Sequence, residues 1–286
     1  MPDIDIYNDE TVFVLGAGAA NTYGFPLGPD LKNNILGLPD NSVKPFLDQH
    51  PGAVDLIPPF KEALRHGDYG TIDYFLERKK KYRELGAYYI VTVLAAHEHH
   101  DHLFPQKELY ADLFHLLDVE SDCPDIPRVS VVTLNYDRSL EYFLARNVEY
   151  NCCDELEEHA LAKVQKLRIV HAHGTLGELK SVKYGQAAKS PEAVAAAAKR
   201  IKIISDRLDE SEDFREAQAL IGKAKNVVFL GFGYHPRTLS ALLPEGAIDG
   251  KKVVGTAVRL LDARKSELLL HFKSQIHLGG ATQDCS

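Results

Sequence analysis

The chain has 286 residues, 45% of them hydrophobic and 26% charged, a composition typical of a folded globular protein and not of a disordered or fibrous one. It has 33 Lys and Arg residues against 41 Asp and Glu residues, and this formal charge of −8 argues against direct nucleic-acid binding. No apolar run reaches the ~18 residues of a membrane span, and the N-terminus lacks the cationic start of a signal sequence. We therefore expect a cytoplasmic protein that binds neither membranes nor nucleic acid.

The four cysteines are Cys123, Cys152, Cys153 and Cys285. None forms the C-x-x-C pair that is typical of structural zinc sites, so we expect no structural zinc and no metal site. No basic residue lies close to Cys152 or Cys153 in the sequence, which argues against a catalytic thiol.

Six short apolar runs predict buried strands, and each is followed by helical sequence. Near-continuous apolar strands that alternate with helices are typical of a parallel sheet covered on both faces. The predicted fold is therefore α/β, a Rossmann-like doubly wound parallel sheet of about six strands. The predicted strands are Thr11–Leu15, Val129–Leu134, Leu167–Val170, Asn226–Leu230, Lys252–Gly255 and Gln275–Leu278.

Two long helical segments interrupt this alternation, at about residues 30–125 and 177–224. The first contains predicted helices over 69–96 and 107–117. No internal repeat and no linker rich in Gly or Ser divides the chain, so we predict a single domain over residues 1–286 with two helical insertions.

The predicted strand ends are where we expect the chemistry, since open parallel sheets bind ligands beyond the carboxyl ends of their strands. Four of these ends carry glycines or polar side chains, and the topology should gather them at one edge. They are Gly16–Ala20 with the following Tyr23 and Pro26, Asn135–Asp137, His171–Gly174, and Gly231–Gly233 with the following His235.

The glycine-rich segment Gly16–Ala20 suits a phosphate group, because glycines let a ligand approach the backbone at the start of a helix. It does not match the dinucleotide pattern G-x-G-x-x-G, since Asn21 occupies the third glycine position. No strand with an acidic end follows ~20 residues later, so a hydride-transferring dehydrogenase is disfavoured. A glycine turn needed only for packing the strand against the helix is the alternative.

The strand-end segments contain, in order, Gly16-Ala17-Gly18-Ala19-Ala20, Gly24-Phe25-Pro26, Asn135-Tyr136-Asp137 and His173-Gly174. In this order they resemble the G-A-G-x-S, G-x-P, Asn-x-Asp and His-Gly motifs of the sirtuin (silent information regulator two) superfamily, and more closely its bacterial branch of NAD-hydrolysing antiphage defence proteins. Gly231-Phe232-Gly233 is a looser counterpart of the later Gly-x-Ser motif.

Two further comparisons with this superfamily bear on the reaction. The segment Thr71–Glu77 is similar to one that is common in the bacterial branch. Sirtuin deacylases, in contrast, continue their glycine loop with Asp-Phe-Arg, where this chain has Leu27-Gly28-Pro29, and they carry zinc-binding cysteine pairs that this chain lacks. Protein deacylation is therefore disfavoured.

The resemblance implies an NAD+ hydrolase that cleaves the nicotinamide–ribose bond to give nicotinamide and ADP-ribose, in bacterial stress or antiphage defence by NAD depletion. It implies that Asn135 holds the ribose and orients a water molecule, and that His173 accepts a proton. It also implies a homo-oligomer and a partner such as a HerA-type ATPase or a short Argonaute. The residues expected to contact NAD are Gly16, Ala17, Gly18, Ala19, Ala20, Tyr23, Pro26, Asp137, Gly231, Phe232 and Gly233.

Several alternatives stay open at this point. A sensor module that binds NAD or ADP-ribose without turnover would use the same residues. Asn135 could instead cap a helix, and Asp137 could be a charge at a helix N-terminus. His171 is expected to share a strand face with His173 and to have an orienting or structural role. His235 is a ligand contact or a loop histidine.

A run of histidines, His97-Glu98-His99-His100-Asp101-His102, raises the question of a metal site. Histidines three residues apart could share a helix face. The zinc-protease pattern H-E-x-x-H fails because Asp101 occupies the second histidine position. We therefore predict a solvated helix end for this run, and an exposed helical face for Arg78–Lys81.

Overall fold

The computed structural model describes residues 4–6, 8–104, 108–117, 128–151, 157–203, 211–258 and 260–279. All four cysteines lie outside these ranges, and so do the predictions made from them.

The described strands form one sheet in which every pair of neighbours is parallel. Their order is β3-β2-β1-β4-β5-β6, which confirms the predicted Rossmann-like, doubly wound α/β fold. The strands are β1 (Thr11–Leu15), β2 (Val129–Thr133), β3 (Ile169–His171), β4 (Asn226–Leu230), β5 (Lys252–Gly255) and β6 (Ile276–Leu278).

The predicted and observed strand bounds differ most at β3. The predicted run began at Leu167, but Leu167 N donates to Val164 O and Ile169 N donates to Leu167 O. Because these hydrogen bonds form a turn, the strand starts two residues later than predicted, at Ile169, and ends at His171.

The central strand β1 is buried along its whole length, because it has a core on each side. Phe13 and Leu15 belong to one hydrophobic core, whereas Val12 and Val14 belong to the other. Successive side chains of a strand point to opposite faces, so a continuous apolar run fills both cores at once.

Helices cover the two faces unequally. The core around Phe13 takes side chains from the helices between β1 and β2 and from the next three helices, up to Arg200. The core around Val12 takes them from the last three helices, Glu212–Lys223, Pro236–Leu242 and Asp262–His271. No described helix is both long and apolar enough to cross a membrane. The described α-helices are α1 (Ala17–Asn21), α2 (Gly28–Gly37), α3 (Lys44–Gln49), α4 (Ile57–His66), α5 (Ile72–Arg78), α6 (Arg83–Ala96), α7 (His100–Leu103), α8 (Glu108–Leu116), α9 (Ser139–Asn151), α10 (Glu157–Gln165), α11 (Pro191–Arg200), α12 (Glu212–Lys223), α13 (Pro236–Leu242) and α14 (Asp262–His271).

Local sequence explains where two of these helices begin. The Thr71 side chain accepts a hydrogen bond of 3.2 Å from Tyr74 N and so caps α5. Ser190 caps α11 in the same way, and Pro191 occupies the first helical position, where a missing N–H costs little.

Candidate functional site

A cavity of about 520 Å³ lies at the carboxyl edge of the sheet, beside the neighbouring ends of β1 and β4. In doubly wound sheets this is the topological switch point, where ligands bind. The volume is within the range of small-molecule sites. Five successive strand ends contribute to the wall, through Gly16, Asn135, His173, Gly231 and Thr256.

Most residues predicted to contact NAD or to take part in the reaction line this cavity, but Ala19 and Tyr23 do not. Ala19 is fully buried. The Tyr23 ring stacks on Tyr110 with 3.8 Å between ring centroids, and its hydroxyl accepts a 2.9 Å hydrogen bond from Tyr110 N. The Tyr23 side chain therefore belongs to the core instead of the cavity wall. The predicted residues that line the cavity are Gly16, Ala17, Gly18, Ala20, Pro26, Asn135, Asp137, His173, Gly231, Phe232, Gly233 and His235.

The loops after β1 and β4 touch through their glycines. Gly18 N donates to Gly231 O over 2.9 Å. A Cβ on Gly18 would lie 2.7 Å from Gly231 Cα, and a Cβ on Gly231, which has φ +58°, would lie 2.0 Å from Ala19 N. Only glycine allows this approach and this backbone conformation. Close packing of the two loops therefore explains why glycine occupies positions 18 and 231, whether or not the cavity binds a ligand.

Asn135 joins two strand ends instead of capping a helix. Its Nδ2 donates to Gly16 O over 3.1 Å, whereas α9 begins only at Ser139. Asp137, not Asn135, binds the start of α9: its Oδ1 accepts hydrogen bonds from Ser139 N over 3.1 Å and from the Ser139 hydroxyl. Burial raises the pKa of Asp137 to about 6, against the lowering effect of these hydrogen bonds.

His173 is a buried histidine in the cavity wall, with only 5% of its surface exposed. Its ring lies parallel to Phe214 of α12 and 6.1 Å from the Tyr136 ring, centroid to centroid. Nε2 is buried, and no described residue offers it a hydrogen bond. Burial lowers the pKa of His173, with the Asp73 charge opposing the shift. A neutral imidazole of this kind can accept a proton near neutral pH.

The turn after β3 fixes the position of His173. Gly174 has φ +79°, and a Cβ there would lie 1.9 Å from Arg200 O. His173 O accepts a 2.8 Å hydrogen bond from Lys202 N. The glycine of the His-Gly pair is therefore required by the backbone that holds the histidine.

His171 faces different neighbours from His173, because β3 ends at His171 and the strand alternation stops there. The prediction that the two share a strand face is wrong. His171 Nδ1 lies 2.9 Å from Asn135 O, and Nε2 contacts the Glu141 carboxylate of α9. Burial disfavours the charged imidazole, but the Glu141 carboxylate outweighs it and raises the pKa of His171 to about 9. His171 therefore lies outside the cavity wall and contacts the backbone carbonyl of Asn135, which is in the wall.

Helix α5 forms part of the wall, although the sequence predicted only a resemblance for Thr71–Glu77 and no role for its residues. Thr71, Asp73, Tyr74 and Glu77 all line the cavity. Acidic residues four positions apart lie on one helix face, and this spacing was the available signal.

Two further cavity residues follow strands. Tyr136 lies between the two predicted ligand contacts Asn135 and Asp137, and its hydroxyl donates to Asp73 Oδ1 over 2.6 Å. Thr256 follows β5, and its hydroxyl accepts a 2.8 Å hydrogen bond from Gly231 N. The strand-end rule applied to the fifth strand would have found Thr256.

Neither a scan against protein-family models nor a search of curated proteins matched this chain.

The histidine run is not a continuous helix, since α6 ends at Ala96 and α7 begins at His100. His99, Asp101 and His102 are exposed, as predicted. His97 and His100 are half-buried. Glu98 is buried and pairs with the fully buried Arg138 over 2.6 Å. Among the described residues, no group of three or more His, Cys, Asp or Glu is arranged to hold a metal ion.

His235 precedes α13 and lines the cavity, with its ring 5.7 Å from the Tyr74 ring. Burial and then the charge of Arg264 lower its pKa. The basic residues Arg78–Lys81 are exposed, in agreement with the prediction of a solvated face.

Proposed function

We propose that this protein is an NAD+ glycohydrolase, which cleaves the nicotinamide–ribose bond and transfers ADP-ribose to water. One observation carries the proposal: Asn135 and His173 share a single cavity with the glycine segments after β1 and β4. These are the segments on which the resemblance to sirtuin-like NAD hydrolases depends. NAD depletion in bacterial stress or antiphage defence is the role that the resemblance implies for this activity.

For this reaction the protein must position the ribose, stabilise the positive charge that develops on it and admit one water molecule. The bond from ribose C1′ to the nicotinamide nitrogen breaks, and its electron pair stays with nicotinamide. C1′ then has oxocarbenium character. The oxygen of water bonds to C1′ and loses a proton, so the products are nicotinamide, ADP-ribose and H+.

His173 is the residue best suited to take that proton. Its lowered pKa keeps the imidazole neutral, and its buried Nε2 has no hydrogen-bond partner among the described residues. Asn135 is held through Nδ2 by Gly16 O, which leaves its side-chain oxygen to accept a hydrogen bond from water or from a ribose hydroxyl.

The pyrophosphate would lie along the glycine segments Gly16–Gly18 and Gly231–Gly233, which line the cavity. A Cβ on Gly233 would meet nothing within 4 Å, so this part of the wall leaves room for a ligand. The Gly18 N–H is already bound to Gly231 O and is not among the donors offered to phosphate.

The test compares NAD+ turnover and NAD+ affinity in the full chain and its variants. His173→Ala should lower kcat by ~10²–10⁴-fold, the usual cost of losing a general base, with binding retained. Asn135→Ala should lose most turnover, and the double variant should lose less than the product of the single losses. Matched controls are His66→Ala and Asn33→Ala, which change exposed residues of α4 and α2.

Three outcomes would contradict the proposal. Turnover that persists unchanged in both single variants would reject this site. Tight NAD+ binding without turnover by the wild-type chain would favour the sensor. Nicotinamide release that requires an acylated peptide would favour the deacylase.

A further inference from the structure

Helix α5 brings two carboxylates to the cavity. Asp73 lies in its first turn and Glu77 one turn later, and both line the wall. The cap from Thr71 to Tyr74 N fixes the start of the helix and therefore the position of Asp73.

The two carboxylates differ in what surrounds them. The Glu77 side chain is only 3% exposed and forms an ion pair with Arg237 of α13, so a cation next to it balances its charge. Asp73 accepts its hydrogen bond from the Tyr136 hydroxyl, which is a neutral donor. Among the described residues, no cation is paired with the Asp73 carboxylate to offset its charge at the cavity wall.

The Tyr136 hydroxyl is a suitable hydrogen-bond donor to this carboxylate. Burial, together with the Asp73 charge, raises the pKa of Tyr136 well above its usual value, so the phenol stays protonated and continues to donate. The bond uses Asp73 Oδ1, and a carboxylate has two oxygens with about four acceptor positions, so capacity for a ligand remains.

We propose that Asp73 is a further catalytic residue, a carboxylate that stabilises the positive charge on the ribose as nicotinamide departs. The inference rests on the proposed NAD+ hydrolysis. When the C1′–N bond breaks and its electron pair leaves with nicotinamide, positive charge develops on C1′ and the ring oxygen. Because the positive charge moves from the nicotinamide ring to the ribose, a fixed negative charge beside the ribose lowers the energy of this state more than that of the substrate. Water then adds to C1′, and its proton passes to His173.

The charge of Asp73 also acts on His173, which gives a second readout. Burial lowers the pKa of His173, and Asp73 is the charge that opposes this shift. Asp73 on α5 is the charged group that acts on His173, and the ring of Tyr136, which follows β2, lies 6.1 Å from the His173 ring, centroid to centroid. Removing the Asp73 charge should therefore lower the pKa of His173 further, in the free protein as well as in the pH profile of kcat/KM.

The experiment uses the full chain with NAD+ and the variants Asp73→Asn and Tyr136→Phe. Asp73→Asn should lower kcat by ~10²-fold, as for loss of one electrostatic group at a transition state, with KM within a few-fold. Tyr136→Phe should lower kcat by a smaller factor, because the carboxylate stays but is no longer held. Asp73→Glu should recover part of the loss. Asp68→Asn, an exposed carboxylate just before α5, is the matched control and should be unchanged.

The outcomes separate this inference from the proposed function. If the wild-type chain hydrolyses NAD+ and Asp73→Asn retains turnover within threefold, the inference is overturned and the proposed function stands. A rise in KM with unchanged kcat would also overturn it, since that is loss of ordinary binding. A wild-type chain that does not hydrolyse NAD+ overturns the proposed function and the inference together.

NMR titration of His173 in the free protein should show a lower pKa in Asp73→Asn, and an unchanged value would count against the charge effect. Asp73→Ser replaces the asparagine variant if that variant does not fold.

Discussion

Replacing Gly231 by alanine tests whether the loops after β1 and β4 form one rigid wall of the cavity. Gly231 has φ +58°, and an added Cβ would lie 2.0 Å from Ala19 N and 2.4 Å from Gly18 C. Both contacts are with backbone, so no side-chain rotation can relieve them. The loop after β4 would have to move, and the hydrogen bond from Gly18 N to Gly231 O would be lost.

The cost of this substitution has two parts. A left-handed backbone conformation costs a non-glycine residue ~1–2 kcal/mol, and overpacking costs ~1–3 kcal/mol. The free energy of unfolding should therefore fall by ~2–5 kcal/mol. For a chain of 286 residues, an unfolding entropy of about 0.6 kcal/mol/K turns this into a fall of ~3–8 °C in Tm.

Gly233→Ala is the matched control, because it changes the same loop and also lines the cavity. Its Cβ would meet nothing within 4 Å, and its stability should stay within ~0.5 kcal/mol of wild type. Urea and thermal unfolding followed by circular dichroism measure both variants. If Gly231→Ala is as stable as Gly233→Ala, the close contact between the two loops does not exist and the description of the wall is refuted.

Three further predictions concern groups outside the cavity wall. The pKa of His171, which Glu141 raises against burial to about 9, lies above its unfolded value, so its stabilising contribution is full below pH ~6.5 and is lost as the pH rises through about 9. Urea unfolding at a series of pH values should show this fall in wild type and a smaller one in His171→Gln; equal slopes would contradict the ion pair. Arg138→Met should destabilise the fold by ~3–5 kcal/mol, since it leaves Glu98 buried without its partner, and a loss below 1 kcal/mol in the same unfolding assay would argue against that pair. Replacing the four histidines of residues 97–102 together should leave NAD+ turnover within a few-fold, and a hundred-fold loss in a folded variant would reveal a missed site.

The sequence was sufficient to predict which strand ends meet, because parallel strands carry their ends to one edge whatever connects them. Asn135 and His173 follow different strands, yet the topology alone brings both to the cavity. Continuous apolar runs also predicted β1 and β4 at their observed bounds, since strands buried on both faces need no polar alternation.

The sequence did not predict what the long helical segment between β1 and β2 does to the site. The core position of Tyr23 depends on Tyr110, 87 residues later, and the cavity position of Asp73 depends on how α5 packs against Tyr136. Such contacts depend on tertiary packing of helices, for which no local pattern exists. Glu98 shows the same limit, because its neighbours in sequence are polar and its burial depends on Arg138.

The claim that water receives ADP-ribose from NAD+ in this cavity is tested most directly by product stoichiometry. The purified chain of residues 1–286 is incubated with NAD+, and nicotinamide and ADP-ribose are quantified by chromatography over time. We expect the two products to appear in equal amounts, at a rate that His173→Ala lowers at least a hundred-fold and His66→Ala leaves unchanged. A wild-type chain that consumes no NAD+ would contradict this expectation. Nicotinamide released without an equal amount of ADP-ribose would contradict it as well.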